Sequence, residues 1–243
     1  MKITVLMGGT SSERNVSLAS GIRIVQALRG RGHKVTALDP ARGVINDAEE
    51  RELSTGKVGT KPPTLESLSQ FAEGTFLPNL TSMKEIKDAE VVFLGLHGGQ
   101  GEDGTIQALL DMAGVKYTGS GHLASALAMD KDLSKKLFRA AEVNTADWLM
   151  APATIEQVEG MLGMPVVVKP SKEGSTVGLT LVKKREALQA AIQEASKYDD
   201  EVMIERFIPG RELTVGNLAS FSRLSSNCGR VCTGALARIA TTL

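Results

Sequence analysis

Cysteine is nearly missing from this chain. The 243 residues hold two, Cys228 and Cys232. That excludes a disulfide framework, and their spacing, with no His nearby, suits neither a zinc site nor a redox pair. Aromatic residues make up only 4%, too few to build stacking platforms for single-stranded nucleic acid. There is no excess of either charge, with 28 Lys plus Arg against 28 Asp plus Glu. Without a basic field, neither nucleic acid nor a membrane surface is an expected partner. No apolar run approaches membrane-spanning length. The first one, Ile3 to Met7, ends at Gly8-Gly9 and is too short for the core of a signal peptide. The expected compartment is therefore the cytoplasm. What remains is an ordinary globular balance, 42% hydrophobic and 23% charged, in a length that fits one large domain or two modest ones.

Lys2 to Met7 reads as a strand, rich in β-branched residues. A Gly-rich turn follows, then a helix from about Val16 to Leu28 with Leu18, Ile22, Val25 and Leu28 at helical spacing, ended by Gly30. Lys34 to Leu38 is a second strand. Strand, helix, strand at this spacing implies a parallel sheet. From Asp39 to about Leu68, punctuated by Gly and Pro, the pattern predicts a long surface loop with at most short elements. Val91 to Leu96 is a buried parallel strand, followed by helices near Thr105–Met112, Leu123–Met129 and Lys131–Ala141. The rhythm then changes. Short strands at Asp147–Met150, Pro165–Lys169, Leu179–Val182, Glu201–Glu205 and Glu212–Val215 alternate with a helix opened by a Thr154/Gln157 capping box and another around Leu188–Ala195. The fold class is α/β, with a parallel sheet first and an α+β module after a boundary near residue 125.

Four clusters could carry chemistry. The first is Gly8-Gly9-Thr10-Ser11-Ser12-Glu13-Arg14, at the carboxyl end of a strand where ligands meet parallel sheets. It is neither a dinucleotide fingerprint nor a P-loop. Glu13 can receive a substrate ammonium or merely complement a helix N-terminus. The second runs from His97 to Gly104, with four glycines in eight residues. His97 faces a ligand there or is a structural residue, and Glu102 and Asp103 can cap the next helix. The third is Val166-Val167-Val168-Lys169-Pro170 and the loop Ser171 to Gly178. Lys169 is either solvent-facing or aimed at an anion, and such a loop can turn N–H groups toward phosphate. Lys131 is a second candidate cation or an ordinary exposed lysine. The fourth, Val202 to Glu212, places Glu205 at a strand end, then a short apolar connector, then Glu212. That can be an adenine slot or a strand end with surface acids.

Together and in this order, the clusters resemble the D-alanine–D-alanine ligases of the ATP-grasp superfamily. The resemblance runs over roughly residues 2 to 215. It rests on His97-Gly-Gly-Gln-Gly-Glu-Asp-Gly104, Thr118-Gly-Ser-Gly121, Met129-Asp-Lys131, Lys169-Pro-Ser-Lys-Glu-Gly-Ser175-Thr-Val-Gly178 and Glu205-Arg-Phe-Ile-Pro-Gly-Arg-Glu212. It implies a Rossmann-like substrate domain over 1–125 and a partial ATP-grasp nucleotide domain over 126–215. It also implies a cytoplasmic enzyme, ATP and Mg²⁺ as cofactors, D-alanine as substrate, and a homodimer. The implied reaction makes an acyl phosphate on one D-alanine, which the amine of a second attacks, for peptidoglycan synthesis. Glu13 is implied to hold the first ammonium, with His97 lining that pocket. Ser175 is implied to orient Glu13 and cover the phosphates. Lys131 and Lys169 are implied to bind phosphates beneath a loop of Glu173, Gly174, Ser175, Thr176 and Val177. Glu205, Arg206, Phe207, Ile208 and Glu212 are implied to hold adenosine. The other readings are a ligase for another D-amino or hydroxy acid, and a non-catalytic remnant that binds D-alanine or nucleotide.

Residues 216–243 depart from the family. They contain no Asp, Glu or Lys, so they lack the oxygen ligands that Mg²⁺ needs. The expectation is a divergent, poorly ordered tail, no second ATP-grasp lobe, and weak or absent ligase activity of this chain. A further expectation is marginal stability, with the strands of 201–215 exposing apolar edges.

Overall fold

The computed structural model of the protein describes residues 1–55, 63, 66–68, 71 and 77–211. Glu212, the expected strand at Glu212–Val215, both cysteines and the 216–243 segment lie outside the described residues. The chain divides into two compact units, Met1–Ser125 and Ala126–Leu243.

The first unit is built on a sheet of order β3-β2-β1-β4. Its strands are β1 (Lys2–Leu6), β2 (Lys34–Asp39), β3 (Gly43–Val44) and β4 (Val91–Leu94). β1 pairs in parallel with both β2 and β4, and β3 adds an antiparallel edge. Alternation along β1 separates two cores. Ile3, Val5 and Met7 pack with Val25 of α1 (Arg14–Gly30) on one face. Leu6 packs on the other with Ile86 of α3 (Lys84–Lys87) and with Ile106 and Leu110 of α4 (Thr105–Met112). Thr4 points to that second face, where its hydroxyl is satisfied by the Glu85 carbonyl at 2.6 Å. Both faces of the sheet are therefore covered, as a parallel sheet requires.

The expected loop after Asp39 contains a nine-residue helix, α2 (Asp47–Thr55), with no buried residue. Its apolar pattern is weak because only Leu53 packs against the core, and that residue is half-buried. Its start signal was nonetheless present. The Asn46 side chain accepts from the backbone amides of Ala48 and Glu49, and Glu49 reaches back to the Asn46 amide at 3.0 Å. This is a reciprocal cap of the kind that fixes a helix N-terminus. Arg29 of α1 holds Glu50 at 2.6 Å. The single turn α3 was likewise unforeseen.

The second unit contains α5 (His122–Met129, which starts just before the division), α6 (Lys131–Ala140), α7 (Ile155–Met161), α8 (Leu188–Ala195) and an antiparallel sheet. The sheet order is β5-β8-β6-β7, with β5 Trp148–Met150, β6 Val166–Pro170, β7 Thr180–Val182 and β8 Val202–Arg206. The Thr154/Gln157 capping box forms at α7 as the sequence predicts. Val166, Val168, Val202 and Ile204 form the core with Val158 of α7 and Ala191 and Ala195 of α8. The expectation of exposed edges at β8 is overturned over 202–206. β8 lies between β5 and β6, and Val202, Met203 and Ile204 are buried.

Gly21 marks the tightest helix–sheet contact of the first unit. A Cβ there would come within 2.5 Å of Met7 Cβ. Alanine ordinarily favours a helix interior over glycine, but here the clash decides the sign. Gly21→Ala is expected to destabilise the protein by about 1–3 kcal/mol in denaturant titration. An unchanged or raised midpoint would show that α1 does not seat this closely on β1.

Candidate functional site

In the first unit, β1 sits between β2 and β4, and the chain leaves it in one direction toward β2 and later returns on the other side at β4. The crevice beyond the carboxyl ends of β1 and β4 is therefore a topological switch point. Both Gly-rich clusters of this unit open into it, and Gly8, Gly9, Ser11, His97, Gly98 and Gln100 line one pocket there.

The two loops are sewn together by two serines, of which Ser17 is buried. Ser17 accepts from the Gly8 amide at 2.8 Å and donates to the Gly95 carbonyl at 2.7 Å. Ser11 donates to the His97 carbonyl at 2.5 Å and accepts from the Glu13 amide at 3.2 Å. Glu13 occupies the N-cap position of α1, but its side chain makes no capping bond. Its carboxylate lies instead against Gly98, where a Cβ would meet Glu13 Oε2 at 2.9 Å. Gly98 also has φ of +66°, so both space and backbone require glycine. His97 has its own partners, Ser20 Oγ at 3.0 Å and the Glu102 carboxylate at 3.8 Å. Asp103 caps α4 by accepting from the Thr105 amide.

Sequence reasoning missed the pair that fixes this crevice. Arg14 and Asp39 are both buried and meet at 2.5 Å. Arg14 also donates to the Gly9 carbonyl, and Asp39 accepts from the Gly9 amide at 3.0 Å. The readable signal was an acid ending an apolar strand, directly before Pro40.

In the second unit, the sheet register sorts the chemistry. Cross-strand partners share a face, so Glu205 lies with Trp148 and Val167, and Lys169 lies two residues along on the same side. The opposite face is the apolar core. The sequence analysis set Lys169 against a phosphate and Glu205 against an adenine amine. The structure pairs them with each other, Lys169 Nζ to Glu205 Oε2 at 2.6 Å, both buried. Lys169 is thus not solvent-facing.

A third member was not anticipated. Lys135 of α6 donates to Glu205 Oε1 and, at 2.7 Å, to the Thr145 hydroxyl. Its ammonium lies 5.1 Å from the centre of the Trp148 ring. Lys135 is four residues from Lys131, on one face of one helix, and that spacing was the available clue. Burial pushes the Lys135 ammonium down in pKa against the pull of Glu205. Burial also works to raise Glu205, but Lys169 and Lys135 outweigh it and hold its carboxyl below the usual range.

Lys131 is half-buried and donates to the carbonyls of Ser171 at 3.0 Å and Glu173 at 2.5 Å. It thereby anchors the start of the 173–178 loop. The Ser171 hydroxyl beside it is buried without a hydrogen-bond partner among the described residues. Ser175 and Thr176 have φ of +50° and +61°. Two successive non-glycine residues in the left-handed region are strained, and Thr is β-branched. The turn is closed by Val177 N–H to the Gly174 carbonyl at 3.1 Å, and Gly178 packs on Pro170 and Tyr198. At the end of β8, Arg206 is tied to Asp147 at 3.2 Å and to the Met161 carbonyl, and Phe207 and Ile208 beyond it are exposed. Among the described residues, no group of three or more His, Cys, Asp or Glu is placed to hold a metal ion. None of their helices is long and apolar enough to cross a membrane.

Burial, reinforced by the Lys169 charge, pushes Lys131 down to about 8. The unfolded chain keeps that proton to about pH 10.4, so between the two values it binds more protons and stability from this group rises with pH. Carbon NMR of labelled lysines should show Lys131 titrating near 8, and Lys131→Met should remove its share of the stability slope. A Lys131 midpoint in the range of exposed lysines would overturn this.

Comparison with known proteins identifies the family. The family model described as D-ala D-ala ligase N-terminus matches residues 2–120, and that for the D-ala D-ala ligase C-terminus matches residues 131–234. The second match continues past Val215, where the sequence analysis saw the resemblance stop. The D-alanine–D-alanine ligase of Geobacter sulfurreducens is 41% identical over 219 residues, covering 89% of this chain and 58% of the relative. That of Pediococcus pentosaceus is 38% identical over 232 residues, covering 89% and 65%. The chain thus spans less than two thirds of the length of these curated relatives. Among solved structures, the Bacillus anthracis D-alanine–D-alanine ligase complexed with ATP aligns with TM-score 0.64 at 28% identity, over 86% of this chain and 60% of that one. The Coxiella burnetii enzyme aligns with TM-score 0.65 at 27% identity, over 86% and 64%. By its sequence and fold, the chain belongs to the D-alanine–D-alanine ligase family.

Proposed function

We propose that the protein joins two D-alanines at the expense of ATP, in the cytoplasm and for peptidoglycan synthesis. In this reading Glu13 is the anchor for the first D-alanine's ammonium, in a crevice that Gly98 keeps open and His97 borders. Lys131 and Lys169 receive the polyphosphate, with Glu173, Gly174, Ser175, Thr176 and Val177 folding over it. Glu205, Arg206, Phe207, Ile208 and Glu212 form the adenosine slot. ATP supplies a phosphoryl group that makes the D-alanine carboxyl reactive, and the chain's residues position the reactants and neutralise charge.

The observation that carries this reading is the pair of adjacent lysines at a strained loop with an unpartnered buried hydroxyl. Lys131 feels the Lys169 charge strongly enough to lose part of its proton affinity. Ser171 Oγ, two residues beyond Lys169, lacks a partner among the described residues. Lys135 and Lys169 share the single carboxylate of Glu205, which leaves a net positive charge toward Lys131 that suits a polyanionic ligand.

Calorimetry of the chain with ATP and with D-alanine tests the proposal. Lys169→Met should weaken ATP binding by about tenfold or more, and Glu13→Gln should weaken D-alanine binding similarly while leaving ATP within about twofold. Failure of the unaltered chain to bind ATP would overturn the nucleotide half of the reading. Binding of both ligands without phosphate release would favour the non-catalytic reading.

A further inference from the structure

Glu205 has two buried counter-ions, yet one suffices to neutralise it. The two lysines differ in how they are held. Lys135 is fixed on three sides, by Glu205 Oε1, by Thr145 Oγ1 at 2.7 Å and by the Trp148 ring at 5.1 Å. Trp148 is itself pinned, donating from Nε1 to Asp132 at 2.8 Å and stacking under Arg139 at 4.3 Å. Among the described residues, Lys169 Nζ has Glu205 Oε2 as its one hydrogen-bond partner. Lys169 also lies toward Lys131, whose charge it opposes, and two residues from the orphaned Ser171 hydroxyl. One cation is thus held by three groups, and the other is held by the carboxylate alone on the side of the proposed polyphosphate.

We propose that Lys135 is a positioning residue, the permanent counter-ion of Glu205, whose presence frees Lys169 to leave Glu205 for a polyphosphate. This rests on the reading of Lys169 as a phosphate-binding group. The physical ground is the cost of an unpaired buried charge. With Lys135 in place, Glu205 stays neutralised and hydrogen-bonded after Lys169 departs. Without Lys135, departure of Lys169 strands a buried carboxylate, so Lys169 is retained and the polyphosphate loses its cation. Lys135 thereby controls affinity for a ligand that it does not touch.

The test is a double-mutant cycle read by calorimetry with inorganic tripolyphosphate, which carries no base and so isolates the cation site. Lys135→Met should weaken tripolyphosphate binding at least about tenfold, and Glu205→Gln should leave it equal or tighter, because a neutral amide does not retain Lys169. The decisive arm is Lys135→Met combined with Glu205→Gln, which should return affinity to within about threefold of Glu205→Gln alone. A purely structural role for Lys135 does not give that rescue. Lys135→Arg, which keeps the charge, should bind nearly as the unaltered chain does. Emission from Trp148, the chain's single tryptophan, checks that each variant is folded. If Lys135→Met fails to fold, weakened binding by Glu205→Gln alone overturns the inference and equal or tighter binding supports it. Unchanged binding by Lys135→Met, or a double variant no better than Lys135→Met, overturns it while leaving the nucleotide reading intact. If Lys169→Met also binds as the unaltered chain does, the nucleotide reading itself fails, and this inference with it.

Discussion

The second unit depends on a carboxylate shared by two ammonium groups inside the protein. Glu205 sits on the central strand of its sheet, and both of its oxygens are taken, one by Lys135 and one by Lys169. Removing three charges from water is costly, and only their mutual contact and hydrogen bonds offset it. The arrangement also fixes where other groups go. It orients α6 toward the polar face of the sheet, holds Trp148 in place, and leaves an excess positive charge that faces Lys131. That excess suits the polyanion site proposed above.

The first unit solves a different problem. Glu13, the proposed anchor for an ammonium, stands at the N-terminus of α1 with its carboxylate against Gly98. Ser11, Ser17 and the Arg14–Asp39 pair hold the two loops, and the absence of a side chain at Gly98 leaves room for the carboxylate. Hydroxyls suit this task because each can donate to one strand end and accept from the other.

The legible parts of the fold were those with a strong period or a strong cap. The β-branched strands, the helix α1 and the Thr154 capping box are local features, and local physics suffices to set them. The helix α2 was missed because none of its residues is buried, which leaves no apolar stripe to read. The site residues were legible as clusters, since glycines beside polar groups are rare outside functional loops. Their pairings were not legible. Arg14 and Asp39 are 25 residues apart and Lys135 and Glu205 are 70 apart, and no local pattern records such a meeting.

The sequence by itself determined the strands and most helices, the change from a parallel sheet to an α+β module, and the positions of the loops proposed to carry chemistry. These follow from periodicity, turn residues and caps, which act over a few residues. Only the tertiary structure decided that Lys169 is buried against Glu205 rather than exposed, that Lys135 belongs to the same charge cluster, and that β8 is an interior strand. Such facts depend on sheet register and on which face of α6 meets the sheet. A charge's environment is set by whatever folds around it, wherever in the chain that comes from.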